Sequence, residues 1–181
     1  MSQAAAIADT AAARSNAPGS SQYVTFVCAG VEYGVEILRV QEIKGWDGVT
    51  RVPYTPPYLL GVMNLRGMIV PVIDLRTRFG LARRPADSST VVIVLRVRAT
   101  RGEKTVGLVV DAVSDVYNLP PGAVKAAPDL GVAGGVTAGT CVRGLVTVDE
   151  KMVMVLDVDR LVTSSIEAGE GERTAPAESA A

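Results

Sequence analysis

The chain says the same thing twice. Ile69-Val-Pro-Val-Ile-Asp-Leu75 returns as Met152-Val-Met-Val-Leu-Asp-Val158, and Gly61-Val62 returns as Gly144-Leu145, both at a spacing of 83 residues. Upstream, Gly34 and Arg39-Val-Gln-Glu-Ile43 resemble Gly107 and Ala112-Val-Ser-Asp-Val116 at a spacing of 73. The order of the segments is kept, and the extra ten residues of the second half fall in a Gly-rich loop around residues 130–139. Such a chain folds as two related units. If the units share strands, neither is stable alone.

Each unit reads as β. Strands are expected at 23–29 and 34–36, then as pairs at 61–65 with 68–73, 90–97 with 105–113, and 141–148 with 152–156. Valine dominates these segments, and its branched side chain fits a pleated surface. The unbroken run Val91-Val-Ile-Val-Leu95 predicts a strand buried on both faces. Many short strands with frequent turn signals indicate barrels or sandwiches rather than a parallel α/β sheet. Helical pieces are brief. Pro56-Pro-Tyr-Leu-Leu60 predicts a first helical turn, Asp74 caps a turn through Phe79, and Asp157 or Asp159 caps one through Val162.

Residues 1–21 and 165–181 are rich in Ala, Ser, Gly, Glu and Pro and hold almost no large apolar side chain. They read as disordered tails around a folded region at 22–164. The Ala-rich start lacks a basic segment and is interrupted by Asp9, which is unlike a secretory signal. No window approaches the ~20 apolar residues of a membrane-spanning helix. Net charge is −1, from 18 basic and 19 acidic residues. This balance speaks against a nucleic-acid or anionic-membrane binder.

The chain has no histidine. That removes Ser-His-Asp and Cys-His catalysis and most catalytic zinc sites. Cys28 and Cys141 sit in apolar strand contexts with no second metal ligand nearby, and read as reduced, buried small hydrophobes. Asp157 and Asp159, with Asp74 or Asp111, could suggest a metal-dependent hydrolase. Yet Asp74 and Asp157 hold equivalent cap positions in the repeat, which favours architecture. Thr100-Arg-Gly-Glu103 and Arg143-Gly144 lack the glycine spacing of phosphate loops. Trp46 reads as partly buried packing. No catalytic, metal or cofactor site is expected. The conspicuous exposed group is Arg66, near the tip of the 61–73 hairpin. Its ordinary reading is a solvated arginine or one paired with Asp74 or Glu150. Its sharper reading is a contact with another protein.

Taken in order, Tyr33-Gly-Val-Glu-Ile-Leu-Arg-Val-Gln-Glu-Ile43, Gly61-Val-Met-Asn-Leu-Arg-Gly67, Ile69-Val-Pro-Val-Ile-Asp-Leu-Arg76, Thr90-Val-Val-Ile-Val-Leu95, Gly107-Leu-Val-Val-Asp-Ala-Val-Ser-Asp-Val116 and Asp157-Val-Asp-Arg-Leu161 make residues 23–163 resemble the CheW family of bacterial chemotaxis adaptors. The resemblance implies a mainly β fold of two five-stranded SH3-like barrels packed side by side, with short helical segments and a short C-terminal helix. It implies a non-enzymatic, cytoplasmic scaffold, recruited to membrane-associated arrays without inserting in the membrane. Its implied partners are the regulatory domain of the histidine kinase CheA, the cytoplasmic tips of chemoreceptors, and other CheW-like modules in array rings. A chemosensory pathway other than flagellar motility is the alternative. Residue by residue, the resemblance assigns receptor coupling to Glu42, Arg66, Val91 and Val116. It assigns kinase binding to Val40, Gly61 and Gly144, and for the two glycines a purely backbone role is the competing explanation. A binding groove between the barrels near Val40, Glu42, Arg66, Val91 and Val116 is expected.

Overall fold

The computed structural model describes residues 18–128 and 141–163. Eleven strands are laid out along them: β1 Ser21–Cys28, β2 Val31–Glu36, β3 Val40–Gly45, β4 Leu59–Leu65, β5 Met68–Asp74, β6 Val91–Ala99, β7 Gly102–Val110, β8 Ala112–Leu119, β9 Lys125–Ala126, β10 Val142–Val148 and β11 Lys151–Leu156. They form two sheets, one ordered β8-β1-β2-β11-β10-β9 and the other β3-β6-β7-β5-β4. The expected 1–21 tail gives up residues 18–20, which turn into the first strand, and Ser21, which opens β1; residues 1–17 and 164–181 and the whole of the 130–139 loop lie outside the described residues.

The repeat is visible in the pairing. In the second sheet β5 runs parallel to β7 with Val72 opposite Gly107, and in the first β11 runs parallel to β2 with Val155 opposite Gly34. Val72 and Val155 are one repeat pair, Gly107 and Gly34 the other. The halves are therefore exchanged. The first sheet takes β1 and β2 from the first half and its remaining strands from the second. The second sheet takes β3, β4 and β5 from the first half and β6 and β7 from the second.

Exchange explains the doubly buried strand. On β6, Ile93, Leu95 and Val97 enter a core shared by both sheets with Phe26, Tyr33, Val35 and Leu108. Val92 and Val94 face the opposite way, into the core of the second barrel with Val70, Val72 and Met63. A third cluster, including Tyr23, Tyr117, Val146 and Val155, fills the first barrel. Cys28 and Cys141 are buried free thiols in the shared core.

One sequence expectation needs correction, and the strand set needs enlarging. Pro56–Leu60 is not helical: the Leu59 amide bonds the Pro56 carbonyl at 3.0 Å, and Leu59 then opens β4. Strands β3, most of β8 and the two-residue β9 lie outside the expected set; for β3 and β8 the reason is compositional. Polar or charged residues interrupt both, Gln41, Glu42 and Lys44 in β3 and Ser114, Asp115 and Asn118 in β8, so neither shows the apolar run that marks β6. The caps behave as expected. Asp74 accepts from the Arg76 amide and from Thr77 Oγ1 ahead of the short helix Leu75–Arg78. Asp157 accepts from the Arg160 amide at 3.0 Å, where helical turns cover 158–163.

Candidate docking site

The β4–β5 connection has two residues, Arg66 with φ 51° and Gly67 with φ 85°. Two successive left-handed residues give the tight turn whose twist matches antiparallel strands. Asn64 Oδ1 accepts from the Gly67 amide at 2.8 Å and closes it. The turn holds Arg66 outward, its side chain 82% exposed, and Arg66 Nη2 lies 3.0 Å from Glu42 Oε2. Neither Asp74 nor Glu150 is its partner. Glu42 Oε2 is buried and receives no hydrogen bond, so the contact is one of charge without hydrogen-bond alignment.

This pair bridges a gap in the fold. β3 and β4 are the two edges of the second sheet. Glu42 stands on β3, where a bulge at Gln41 separates the pairs Val40–Leu95 and Glu42–Val94. The bulge lets Val40 pack toward the shared core, while Glu42 falls opposite Val94, a residue of the second barrel's core. Around the pair lies a pocket of about 420 Å³ lined by Leu38, Val40, Gln41, Glu42, Leu65, Arg66, Met68 and Arg96. Leu38 is 88% exposed and Met68 51%. Exposed apolar side chains framed by arginines have the composition of a protein-docking surface. Leu38, Met68 and Arg96 were not singled out in the sequence. Leu38 could have been found: it is a leucine beside Arg39 in a segment too short to bury it, a 3-10 turn without a buried residue.

Val40, Glu42 and Arg66 thus come together. Val91 and Val116 do not join that pocket. Val91 sits at the start of β6 opposite Gly45, and Val116 on β8 opposite Val24, each half-buried against the shared core. Gly61 and Gly144 lie apart, one in each barrel, at matching bulges between Leu59 and Gly61 and between Val142 and Gly144. A Cβ on Gly61, whose φ is 149°, would stand 2.2 Å from the Thr50 carbonyl oxygen; one on Gly144 would stand 2.4 Å from that of Lys125. In both places another stretch of chain crosses at backbone distance: Thr50 makes an isolated bridge to Val62, and β9 pairs Gly144 and Leu145.

The four aspartates that could suggest a metal site, Asp74, Asp111, Asp157 and Asp159, are engaged in the frame. Beside the two caps, Asp111 takes a two-point contact from Arg76 and Asp159 one from Arg39. Arg76 and the Ala29 amide hold the Asp111 carboxyl below its usual range. Burial pushes the Cys28 thiol up to about 12, far from a reactive thiolate. Among the described residues, no three His, Cys, Asp or Glu side chains are grouped to hold a metal ion, and no helix is long and apolar enough to cross a membrane. Trp46 packs, half-buried, on the second barrel's core.

Comparison with known proteins agrees with this architecture. The CheW-like domain profile matches residues 22–165. The chain is 42% identical over 143 residues to the chemotaxis protein CheW of Klebsiella aerogenes, covering 79% of this chain and 82% of that one. It is 30% identical over 141 residues to CheW of Bacillus subtilis, covering 77% and 85%. The crystal structure of the scaffolding protein TtCheW from Thermoanaerobacter tengcongensis superposes with a TM-score of 0.69 at 30% identity, covering 78% of this chain and 92% of that one. Two exchanged SH3-like barrels, a surface suited to docking, and a domain match over nearly the whole folded region lead to one conclusion: this chain belongs to the CheW-like family, the scaffold proteins of bacterial chemotaxis.

Proposed function

We propose that the chain couples chemoreceptor tips to the regulatory domain of the histidine kinase CheA, by docking alone and without chemistry of its own. Receptor contact is assigned to Glu42 and Arg66, with Val91 and Val116 at the rim of the shared core. Kinase contact is assigned to Val40, Gly61 and Gly144. The observation that carries the reading is the pocket of Leu38, Val40, Glu42, Arg66 and Met68, where exposed apolar surface meets a charge pair held on a rigid turn. Leu38 and Met68 supply area to bury, and Arg66 supplies a planar, several-pronged donor of the kind enriched at hot spots.

Because Val40 and Arg66 line one pocket, the two interfaces adjoin there. A receptor helix and the kinase domain then meet the scaffold side by side. Modest individual contacts suffice where many copies are held together in a membrane-associated array, since effective concentration multiplies them. The relatives are chemotaxis proteins by name, and no feature of this chain favours a separate chemosensory pathway.

The test is co-sedimentation of the purified protein with receptor-bearing membranes, with and without the kinase. Wild-type protein should pellet with receptors and bring the kinase down with it. Arg66→Ala should lose receptor pelleting while still binding the isolated regulatory domain. A variant that pellets normally, or one that loses both partners while melting at the wild-type temperature, overturns the assignment.

A further inference from the structure

The two halves are fastened to each other by a pair of matching clasps whose charges are reversed. In one, Asp111, just after β7, accepts from Arg76 Nε at 2.8 Å and Nη2 at 2.7 Å, and from the Ala29 amide at 2.9 Å. In the other, Asp159, just after β11, accepts from Arg39 Nη1 at 3.2 Å and Nη2 at 2.8 Å, and from the Arg98 amide at 2.6 Å. The pieces correspond through the repeat. Arg76 and Asp159 are both two residues past the cap aspartates Asp74 and Asp157. Asp111 and Arg39 follow β7 and β2, equivalent to within one residue. Ala29 and Arg98 are equivalent too, because Thr25 stands opposite Gly34 as Val94 stands opposite Gly107, and each amide lies four residues further on. Carboxylate, guanidinium and amide thus recur at the same place in both halves, but the element after β5 carries the cation while the element after β11 carries the anion.

The reversal matters because the chain has two ways to close its barrels. Either half could in principle place its β5-type strand beside its own β2-type strand, giving two independent barrels, or it could exchange as observed. The repeat leaves the strand pairings alike in both arrangements. The clasps do not: self-closure would set Arg76 against Arg39 and Asp159 against Asp111. The four side chains are between 14% and 28% exposed, so solvent screens them little and like charges there are costly. We propose that the opposed polarity of the two clasps selects the strand-exchanged fold, acting against pairing of a half with itself or with the like half of a second copy.

The test is refolding of full-length variants from denaturant, followed by gel filtration with light scattering and an amide correlation spectrum. Arg76→Asp with Asp111→Arg retains an opposite-charge pair in the native fold, in the geometry the other clasp already uses. It also makes self-closure charge-compatible in both halves. Its refolded sample should show a second set of amide signals, or dimers, raised roughly tenfold over wild type, the factor carried by ~1.4 kcal/mol of lost discrimination. Adding Arg39→Asp and Asp159→Arg restores opposed polarity and should restore a single native species. The fourfold variant also controls for Arg84, which lies 3.9 Å from Asp111, since it carries the same change there. The proposal fails if the double variant refolds as cleanly as wild type, or if the fourfold variant is no cleaner than the double, including when the double does not fold.

Discussion

Arg66 Nη2 and Glu42 Oε2 meet at 3.0 Å across the open side of the second barrel, between the β4–β5 turn and edge strand β3. Two positions assigned to receptor coupling are therefore a single unit. Removing Arg66 leaves the Glu42 carboxylate, with its buried Oε2, without its cation; removing Glu42 lets Arg66 swing free. The predicted signature is non-additivity. Arg66→Ala and Glu42→Ala should each weaken receptor binding by about 2 kcal/mol, while the double variant loses far less than the sum. The fold should hardly respond, since a pair with so exposed an arginine contributes ~0.5 kcal/mol at most to stability. Titration of receptor-tip fragments against all four proteins measures the coupling; strict additivity would separate the two residues.

Gly61 and Gly144 are predicted to behave as fold glycines first. Alanine at either puts a Cβ well inside contact distance of a carbonyl oxygen on a crossing segment. Gly61 adds a φ of 149°, which side chains rarely adopt. Each change should destabilise by ~2 kcal/mol or more through overpacking and strain. Gly45→Ala, where a Cβ meets nothing within 4 Å, should lie within ~0.5 kcal/mol of wild type. Thermal melts with kinase-domain binding measured on the same samples decide the matter. Lost kinase binding with an unchanged melt would show the proposed kinase contact acting without the backbone role, whereas a lowered melt that accounts for the lost binding would leave only the backbone role.

Much of this was legible beforehand because the repeat carried it. Hairpin β4–β5 and its partner β10–β11 could be placed from Gly61-Val62 and Gly144-Leu145, and the caps from Asp74 and Asp157. The exchange itself was not, since Val72 opposite Gly107 satisfies the same local pattern that Val72 opposite Gly34 would. Strands β3 and β8 stayed hidden for a related reason. Val40 and Val116 are half-buried by the other half of the molecule, so neither strand needs an apolar run of its own. The site was partly legible: Arg66 stood out on its turn, but Glu42 as its partner required knowing that β3 and β4 end up at facing edges.

Acid should release the Arg76–Asp111 clasp. The guanidinium holds the Asp111 carboxyl below its ordinary range, with the Ala29 amide assisting. A group whose folded pKa is depressed stabilises above its unfolded value of ~3.9 and loses that stability as pH falls through the folded one. The wild-type melting temperature should thus drop below about pH 4. Asp111→Asn, which cannot ionise, should be less stable at pH 7 and show a shallower decline over the acid range. Parallel slopes for the two proteins in pH-dependent denaturation would remove Asp111 from the acid response.

The last prediction comes from comparing the two equivalent turns. Arg66-Gly67 and Asp149-Glu150 both adopt positive φ at both positions, with values of 51° and 85° in one and 48° and 65° in the other. A left-handed conformation costs a side-chain-bearing residue ~1 kcal/mol relative to glycine. The first turn avoids this at its second position with Gly67, whereas the second turn bears it twice. Glu150→Gly should therefore stabilise the chain, by ~0.5 kcal/mol once the greater freedom of glycine in the unfolded state is subtracted. The reverse change, Gly67→Glu, should destabilise by a similar amount, because it puts a side chain on a residue held at φ 85°. Urea denaturation of the two variants provides the check. A destabilised Glu150→Gly would mean that the glutamate side chain contributes more to the native turn than its backbone strain takes away.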